Sequence, residues 1–307
     1  MKELLKAKAK ELGFDQLGVA AAQTPPHYKA YLDWIYRGNH ADMEYLANHA
    51  QPKQHPSELL PECKSVIVVS MNYNPGANPK RTVARYAHGR DYHKVLTKKL
   101  KELSTLITEH YPEARNRVCV DAQPLMERDF AQLAGIGWFG KNTLIINSKR
   151  GSWFVLGCLL TTIELEPDPP AIGGCGTCTA CIEACPTGAI KPKGDHWEVD
   201  SRLCISAQTI ERKSDPDVDT AGWVFGCDIC QEVCPFNHPN PKQPLRAAPT
   251  QVPEFMQQNP IANMSAQEIS EMSYEDWNSL TISSPIRRSK YFRLRLIALN
   301  QANKEKL

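Results

Sequence analysis

Cys175-Gly-Thr-Cys178-Thr-Ala-Cys181-Ile-Glu-Ala-Cys185-Pro186 is the stretch on which the reading of this chain turns. Three thiols at intervals of two residues, a fourth after three more and then a proline match the ligand run of a 4Fe-4S cubane. Three thiolates wrap one face of the cluster, and the fourth lies on a helix leading away. A second set follows: Cys204, then Cys227-Asp-Ile-Cys230-Gln-Glu-Val-Cys234-Pro235. In two-cluster chains each Cys-Pro cysteine ligates the cluster of the other motif. That rule predicts one cluster on Cys175, Cys178, Cys181 and Cys234, and another on Cys185, Cys204, Cys227 and Cys230. Structural zinc also uses C-x2-C pairs, but needs neither a third cysteine at the next such spacing nor two Cys-Pro endings.

Around these motifs the chain has 307 residues, 42% hydrophobic and 23% charged, enough for one large or two modest globular domains. Eight of the eleven cysteines fall between Ala171 and about His238, a segment with little continuous apolar pattern. Ligated metal rather than a hydrophobic core is expected to hold it together. Composition changes at Glu166-Pro-Asp-Pro-Pro170, so three units are expected: 1–168, a cluster module over 169–240, and 241–307. The last comprises an extended proline-rich stretch from Pro239 to Pro260, a helix over Ser265–Met272 capped by Ser265 with Glu268, and a helix from Pro285 to the end. The longest apolar run, Trp153 to Leu160, is far short of the ~20 residues of a membrane span. The N-terminus alternates charged and apolar residues without a secretory signal. A cytoplasmic protein with no membrane partner is expected, where abundant cysteines serve metal or redox chemistry. Cys63, Cys119 and Cys158, on or beside apolar strands, read as inert buried thiols.

In the first unit, helices are predicted over Lys2–Glu11, Pro26–Tyr36 and Asp91–His110. Ser65–Met71 reads as a strand buried on both faces. Val118–Asp121 reads as a short strand ending on an acid, followed by a helix from Pro124 to Ala134. Thr143–Asn147 and Ser152–Thr162 flank Lys149-Arg150-Gly151 as a hairpin. Two clusters move electrons one at a time and cannot alone reduce an organic substrate, so this large unit is expected to hold a second cofactor. Gly135-x-Gly137-x2-Gly140 precedes a strand and is not a dinucleotide loop. Asp91-x-His93 begins like a cobalt-binding sequence but has Leu96 in the glycine place, so His93 reads as capping or decorating the long helix. Asp121 fits two roles from its residues alone. It is either a general acid whose pKa desolvation raises, or the N-cap of the next helix. Net charge is only +2, but eight bases and one acid lie between Lys80 and Lys101, and five bases without an acid between Arg287 and Arg295. Such stretches are either a phosphate-binding footprint or solvated helix faces.

Beyond the cysteines, the series Glu62-Cys-Lys-Ser-Val-Ile-Val-Val, Ala84-Arg-Tyr-Ala, Asp91-Tyr-His, Val120-Asp121 with Pro124-Leu125 and Glu127-Arg128, Ala134-Gly-Ile-Gly-Trp-Phe-Gly-Lys-Asn142, and Gly226-Cys-Asp-Ile-Cys-Gln231 resembles the epoxyqueuosine reductase family almost throughout. The resemblance implies an α+β fold: a nitroreductase-like cobalamin-binding domain, a ferredoxin-like module with two 4Fe-4S clusters, and a short helical C-terminal segment. It implies cobalamin as the second cofactor and reduction of the epoxide of epoxyqueuosine to queuosine at the wobble position of tRNAs for Tyr, His, Asp and Asn. Electrons would come from an external low-potential donor to a monomer. Asp121 aligns with the family's proton-donor aspartate, and the cluster on Cys185, Cys204, Cys227 and Cys230 should face the corrin. Tyr86, Lys141, Asn142, Ser206 and Asp228 are implied as linings of the corrin or substrate pocket, although each is also ordinary turn or surface chemistry. Three departures stand out. Longer members continue into a helical-repeat domain of which Pro285–Leu307 looks like the first helix, Leu296 stands where relatives carry Asn, and Lys53 and His55 lie where arginines are frequent.

Overall fold

β-Branched residues favour extended backbone, and Val66, Ile67, Val68 and Val69 form the fully buried middle of a strand in the computed structural model, which describes residues 1–304. The main sheet runs in the order β1 (Gln16–Ala21), β2 (Ser65–Asn72), β6 (Phe154–Thr161) and β3 (Asn116–Cys119), every neighbour antiparallel. Alternate residues of β2 feed two cores. Ile67, Val69 and Met71 pack with Leu96, Leu100 and Leu103 of the helix Tyr92–His110 and with Leu5 of the helix Lys2–Glu11. Val66 and Val68 pack on the other face with Cys158, Leu160 and Phe130 of the helix Glu127–Leu133. The expected two-faced strand is therefore present, sandwiched between helices. β1, which the sequence reading passed over, supplies its outer neighbour.

The expected hairpin is not formed. Thr143–Asn147 contributes only β5 (Ile145–Ile146), which pairs with β4 (Trp138–Phe139), while β6 enters the main sheet between β2 and β3. Burial decides this: Ile145 joins the core beneath β2, and Ile146 packs with Trp138 and Cys234. A turn from Asn147 to Gly151 survives. β7 (Ile190–Lys193) and β8 (His196–Val199) make a separate ribbon in the cysteine-rich segment.

That segment also has apolar anchorage that its composition concealed. Val224 and Phe225 are fully buried against Ile269, Trp277, Ile286 and Leu294 of the C-terminal helices. The capping box of Ser265 and Glu268 starts the helix Ala266–Glu271 as expected. The anticipated single helix from Pro285 is instead a short 3-10 turn, Pro285–Ser289, and a helix, Tyr291–Lys304, broken at Lys290 with φ of 60°. The last three positions, 305–307, lie outside the described residues.

Gly18 on β1 lies where the carbonyl of Ala134, just past the helix Glu127–Leu133, meets the sheet, and a Cβ there would fall on that oxygen. Gly18→Ala is expected to destabilise the fold by about 1–3 kcal/mol, measured as a lowered urea midpoint. An unchanged midpoint would mean that this helix end is free to move off the sheet.

Candidate active site at the Asp121 cleft

Asp91 caps the helix Tyr92–His110 by accepting from the His93 amide. Tyr92 and His93 therefore sit together in the first turn, their rings stacked at 4.1 Å between centroids. Asp121 approaches from β3. The strand stops two residues early, at Cys119, because Asp121 takes a left-handed φ of 50° and the Ala122 amide turns back to the Val120 carbonyl at 2.6 Å. This is a γ-turn, one of the strained backbone forms. It brings Oδ2 of Asp121 to 2.9 Å from the Tyr92 hydroxyl, which donates to it, and to 3.0 Å from Nε2 of His93. Nδ1 of His93 lies 2.8 Å from Oδ1 of Asp91, so the imidazole bridges two carboxylates.

Both sequence-based readings of Asp121 need correction. It caps nothing: Met126 precedes the helix Glu127–Leu133. Nor is its carboxyl raised. Its side chain is 57% exposed in the mouth of the cleft, and although its withdrawal from bulk water acts upward, the hydrogen bond and charge of His93 outweigh it and hold Asp121 below the usual carboxylate range. For His93, burial acts downward, but Asp121 and Asp91 together lift it to about 9. The proton expected on Asp121 is thus stored on its neighbour. A desolvated carboxyl does exist beside it. Burial first, and then the charge of Asp121, push Glu127 up to about 8, and Oε1 of Glu127 accepts the Asp121 amide at 3.0 Å.

Asp121, Tyr92, His93, Tyr86, Glu211 and Arg288 line a cleft of about 430 Å³, within the range of small-molecule sites. Of the predicted cofactor-binding residues, only Tyr86 and Asp121 reach it. Lys141, Asn142, Ser206 and Asp228 lie among the cysteine motifs instead. Lys141 Nζ donates to the Cys178 carbonyl at 2.9 Å and Asn142 Nδ2 to the Cys230 carbonyl at 3.4 Å, so adjacent residues hold one motif each. Ser206 lies in the helix Ile205–Ile210, and the buried Asp228 accepts the Arg85 amide at 2.8 Å.

None of the eight motif cysteines is in a disulfide. Burial pushes Cys181 up to about 11, helped by Cys175, Cys234 and Cys178; burial pushes Cys227 up to about 12, helped by Cys204, Asp228 and Cys185. Cys230 is raised by burial and then by Cys204, Cys227 and Cys181, so the two expected quartets lie close to each other. The donor set fits two cubanes. The second quartet adjoins the cleft: Cys204 precedes a helix whose far end, Ile210 with Glu211, is a cleft wall about 9 Å along the axis. Tyr86 packs in one cluster with Cys227 and Trp223. A corrin presents a flat ring fringed by amides; the open cleft could face part of it with the rings of Tyr86 and Tyr92 and the hydroxyls of Ser283 and Ser284.

The basic stretches divide. Arg288 donates to Glu211 at 2.7 Å, Arg287 to Oδ1 of Asn278 at 2.7 Å, and Arg293 and Arg295 to backbone carbonyls, so these arginines mainly brace the fold. Lys94, Lys98 and Lys101 remain exposed along the long helix. Tyr92, His93 and Glu127 are the site residues that the sequence reading left without a role. Asp91-Tyr-His carried the signal, since a capped helix start fixes where its first-turn side chains point.

Residues 53–122 match the family model described as epoxyqueuosine reductase QueG, DUF1730, and residues 174–237 match a 4Fe-4S double cluster binding domain. A structure of epoxyqueuosine reductase from Bacillus subtilis, with its catalytic aspartate loop swung out of the active site, superposes with a TM-score of 0.82 at 27% identity, covering 97% of this chain and 80% of that one. Another, holding a tRNA-Tyr stem loop modified with epoxyqueuosine, superposes with a TM-score of 0.79 at 28% identity, covering 98% and 82%. The epoxyqueuosine reductase of Synechococcus sp. (strain CC9605) is 40% identical over 303 residues, which make up 94% of this chain and 91% of the relative. Likeness of that extent, together with both matched segments, makes this chain a member of the epoxyqueuosine reductase family.

Proposed function

We propose that this chain reduces the epoxide of epoxyqueuosine in the anticodon loop of tRNA to the alkene of queuosine. The observation that carries the reading is the placement of a proton-storing pair, His93 with Asp121, in a cleft one short helix away from a cysteine quartet of the 4Fe-4S type. The reaction consumes two electrons and two protons and releases water. An external low-potential one-electron donor would supply the electrons; Cys175, Cys178, Cys181 and Cys234 would hold one cluster and Cys185, Cys204, Cys227 and Cys230 the other, a pair suited to relaying electrons singly. Cobalamin, which Tyr86 and the other residues lining the cleft would hold, would supply a strongly reducing, nucleophilic cobalt centre. The chain's own residues manage the proton. An alkoxide is a poor leaving group, so Asp121 passes the proton held on His93 to the departing oxygen, while Tyr92 keeps the carboxylate oriented. Such general-acid help is worth about 10²–10⁴ in rate.

The substrate is an anticodon stem loop of tRNAs for Tyr, His, Asp and Asn, whose unstacked base enters the cleft. Lys94, Lys98 and Lys101 offer its phosphates a sequence-independent grip. The chain acts as a monomer in the cytoplasm; no helix among the described residues is long and apolar enough to cross a membrane.

Anaerobic reconstitution with iron, sulfide, cobalamin and a reductant, followed by nucleoside analysis of epoxyqueuosine-containing tRNA, tests the reading; a fully metallated sample that takes up no corrin would overturn it. Asp121→Asn is expected to keep clusters and corrin and lose about 10²–10⁴ of turnover, and near-normal turnover would remove Asp121 from the chemistry. His93 is protonated below about 9, so the rate is expected to persist below that pH and fall as pH rises through it. His93→Gln should displace this limb, and an unmoved limb would assign the proton elsewhere. Lys98→Glu combined with Lys101→Glu should weaken stem-loop binding and flatten its salt dependence by roughly 0.7–0.9 for each phosphate no longer neutralised; unchanged affinity would make this face simply a solvated one.

A further inference from the structure

Asp121 is held in a conformation that a side-chain-bearing residue disfavours, with φ of 50° inside a γ-turn, in a loop whose side chain is largely open to solvent. Left-handed backbone of this kind persists only where its surroundings over-determine it. Besides Tyr92 and His93 at the Asp121 carboxylate, three further side chains from three elements meet the loop, and of these three one bonds Asp121 itself. Glu127, the first residue of the following helix, turns back so that Oε1 accepts the Asp121 amide at 3.0 Å. Lys53, from the 3-10 turn Gln51–Gln54, reaches the Leu125 carbonyl at 3.5 Å. Arg117 of β3 donates to the Gln123 side chain at 3.0 Å. Of these three, only the Glu127 hydrogen bond falls on the residue whose carboxylate meets His93, and it fixes the peptide plane from which that side chain projects.

We infer that Glu127 is a positioning residue for the proton donor: its carboxyl oxygen latches the Asp121 amide and thereby keeps the loop turned inward, with Asp121 against Tyr92 and His93. This rests on the role proposed above for Asp121, and goes beyond it by naming what holds that aspartate in place. The loop has no strand or helix pairing between the end of β3 at Cys119 and the helix start at Glu127, so the Glu127 hydrogen bond is the side-chain contact that fixes the Asp121 backbone, while Tyr92 and His93 hold only its carboxylate; without it, relaxation of Asp121 towards an ordinary negative φ would swing its side chain off His93. The mutual placement fits this role: the acceptor lies six residues on, at the start of a helix packed beneath β2, and so moves with the sheet rather than with the loop.

The test compares Glu127→Ala with Glu127→Gln in the reconstituted holoenzyme. The alanine variant should lose kcat by about 10- to 100-fold, the scale of a misplacement near 1 Å, at unchanged KM for the tRNA stem loop and unchanged iron content. Amide hydrogen exchange of the segment 120–126 should accelerate. The glutamine variant, whose amide oxygen still accepts, should recover most of the rate and the slow exchange. Wild-type kcat in the alanine variant, unaltered exchange, or a glutamine variant as impaired as the alanine one would overturn the latch. Turnover by the unmodified enzyme in the same assay separates these outcomes from failure of the overall reading.

Discussion

A three-bond backbone strap ties the chemistry together: the Ala84 amide donates to the Phe225 carbonyl at 2.8 Å, and the Val224 and Phe225 amides donate to the Thr82 carbonyl at 2.8 and 3.0 Å. Thr82–Ala84 belongs to the sheet-bearing half and Val224–Phe225 to the cysteine-rich half. The strap is enclosed by apolar side chains, with Val83, Val224 and Phe225 fully buried against the C-terminal helices, which removes competing water from its hydrogen bonds. Two residues beyond Ala84 comes Tyr86, the floor of the cleft; two beyond Phe225 comes Cys227. Gly226 lies between, and a side chain there would collide with Ala84. The separation between electron source and cleft is therefore set by backbone register, the least adjustable element of a fold. The C-terminal helices matter because they cover that strap, and the turn Pro285–Ser289 between them adds a wall to the cleft.

The parts of this arrangement that were legible from sequence are those where one residue type at a fixed spacing has one physical use. The cysteine runs are of this kind, because a cubane tolerates little variation in the chain that wraps it, and so is the unbroken Val66–Val69 run, because only a strand covered on both faces wants four such residues in succession. What stayed hidden depended on partners distant in sequence. Ile145 and Ile146 look like half of a hairpin until Trp138 and Cys234 claim one of them. Arg287 and Arg288 look like a phosphate grip until Asn278 and Glu211 occupy them. Asp121 looks like a desolvated acid because its neighbours in sequence are apolar, whereas its neighbours in space are an imidazole and a phenol. Composition reports the medium along the chain, and a pKa answers to the medium across it.

The electrostatic design of the cleft follows from placing the proton on His93 rather than on Asp121. An acid that stayed protonated at rest would hold a neutral carboxyl in an open mouth, where water competes for its proton. An imidazolium between Asp91 and Asp121 is instead stabilised by two charges while remaining one hydrogen bond from Asp121, the group proposed to pass its proton on. Its proton affinity, about 9, is well below that of an alkoxide. In the proposed mechanism, growing negative charge at the oxygen as the carbon–oxygen bond opens would draw the proton across. At a separation of 4 Å a full charge acts with about 4 kcal/mol at an effective dielectric near 20, enough for partial bond cleavage to matter. Proton delivery would then follow electron delivery, provided that Asp121 is aimed correctly beforehand. That requirement explains why a strained left-handed aspartate is tolerated at the most exposed point of the site: the strain fixes direction, and the openness admits a substrate as large as an RNA loop.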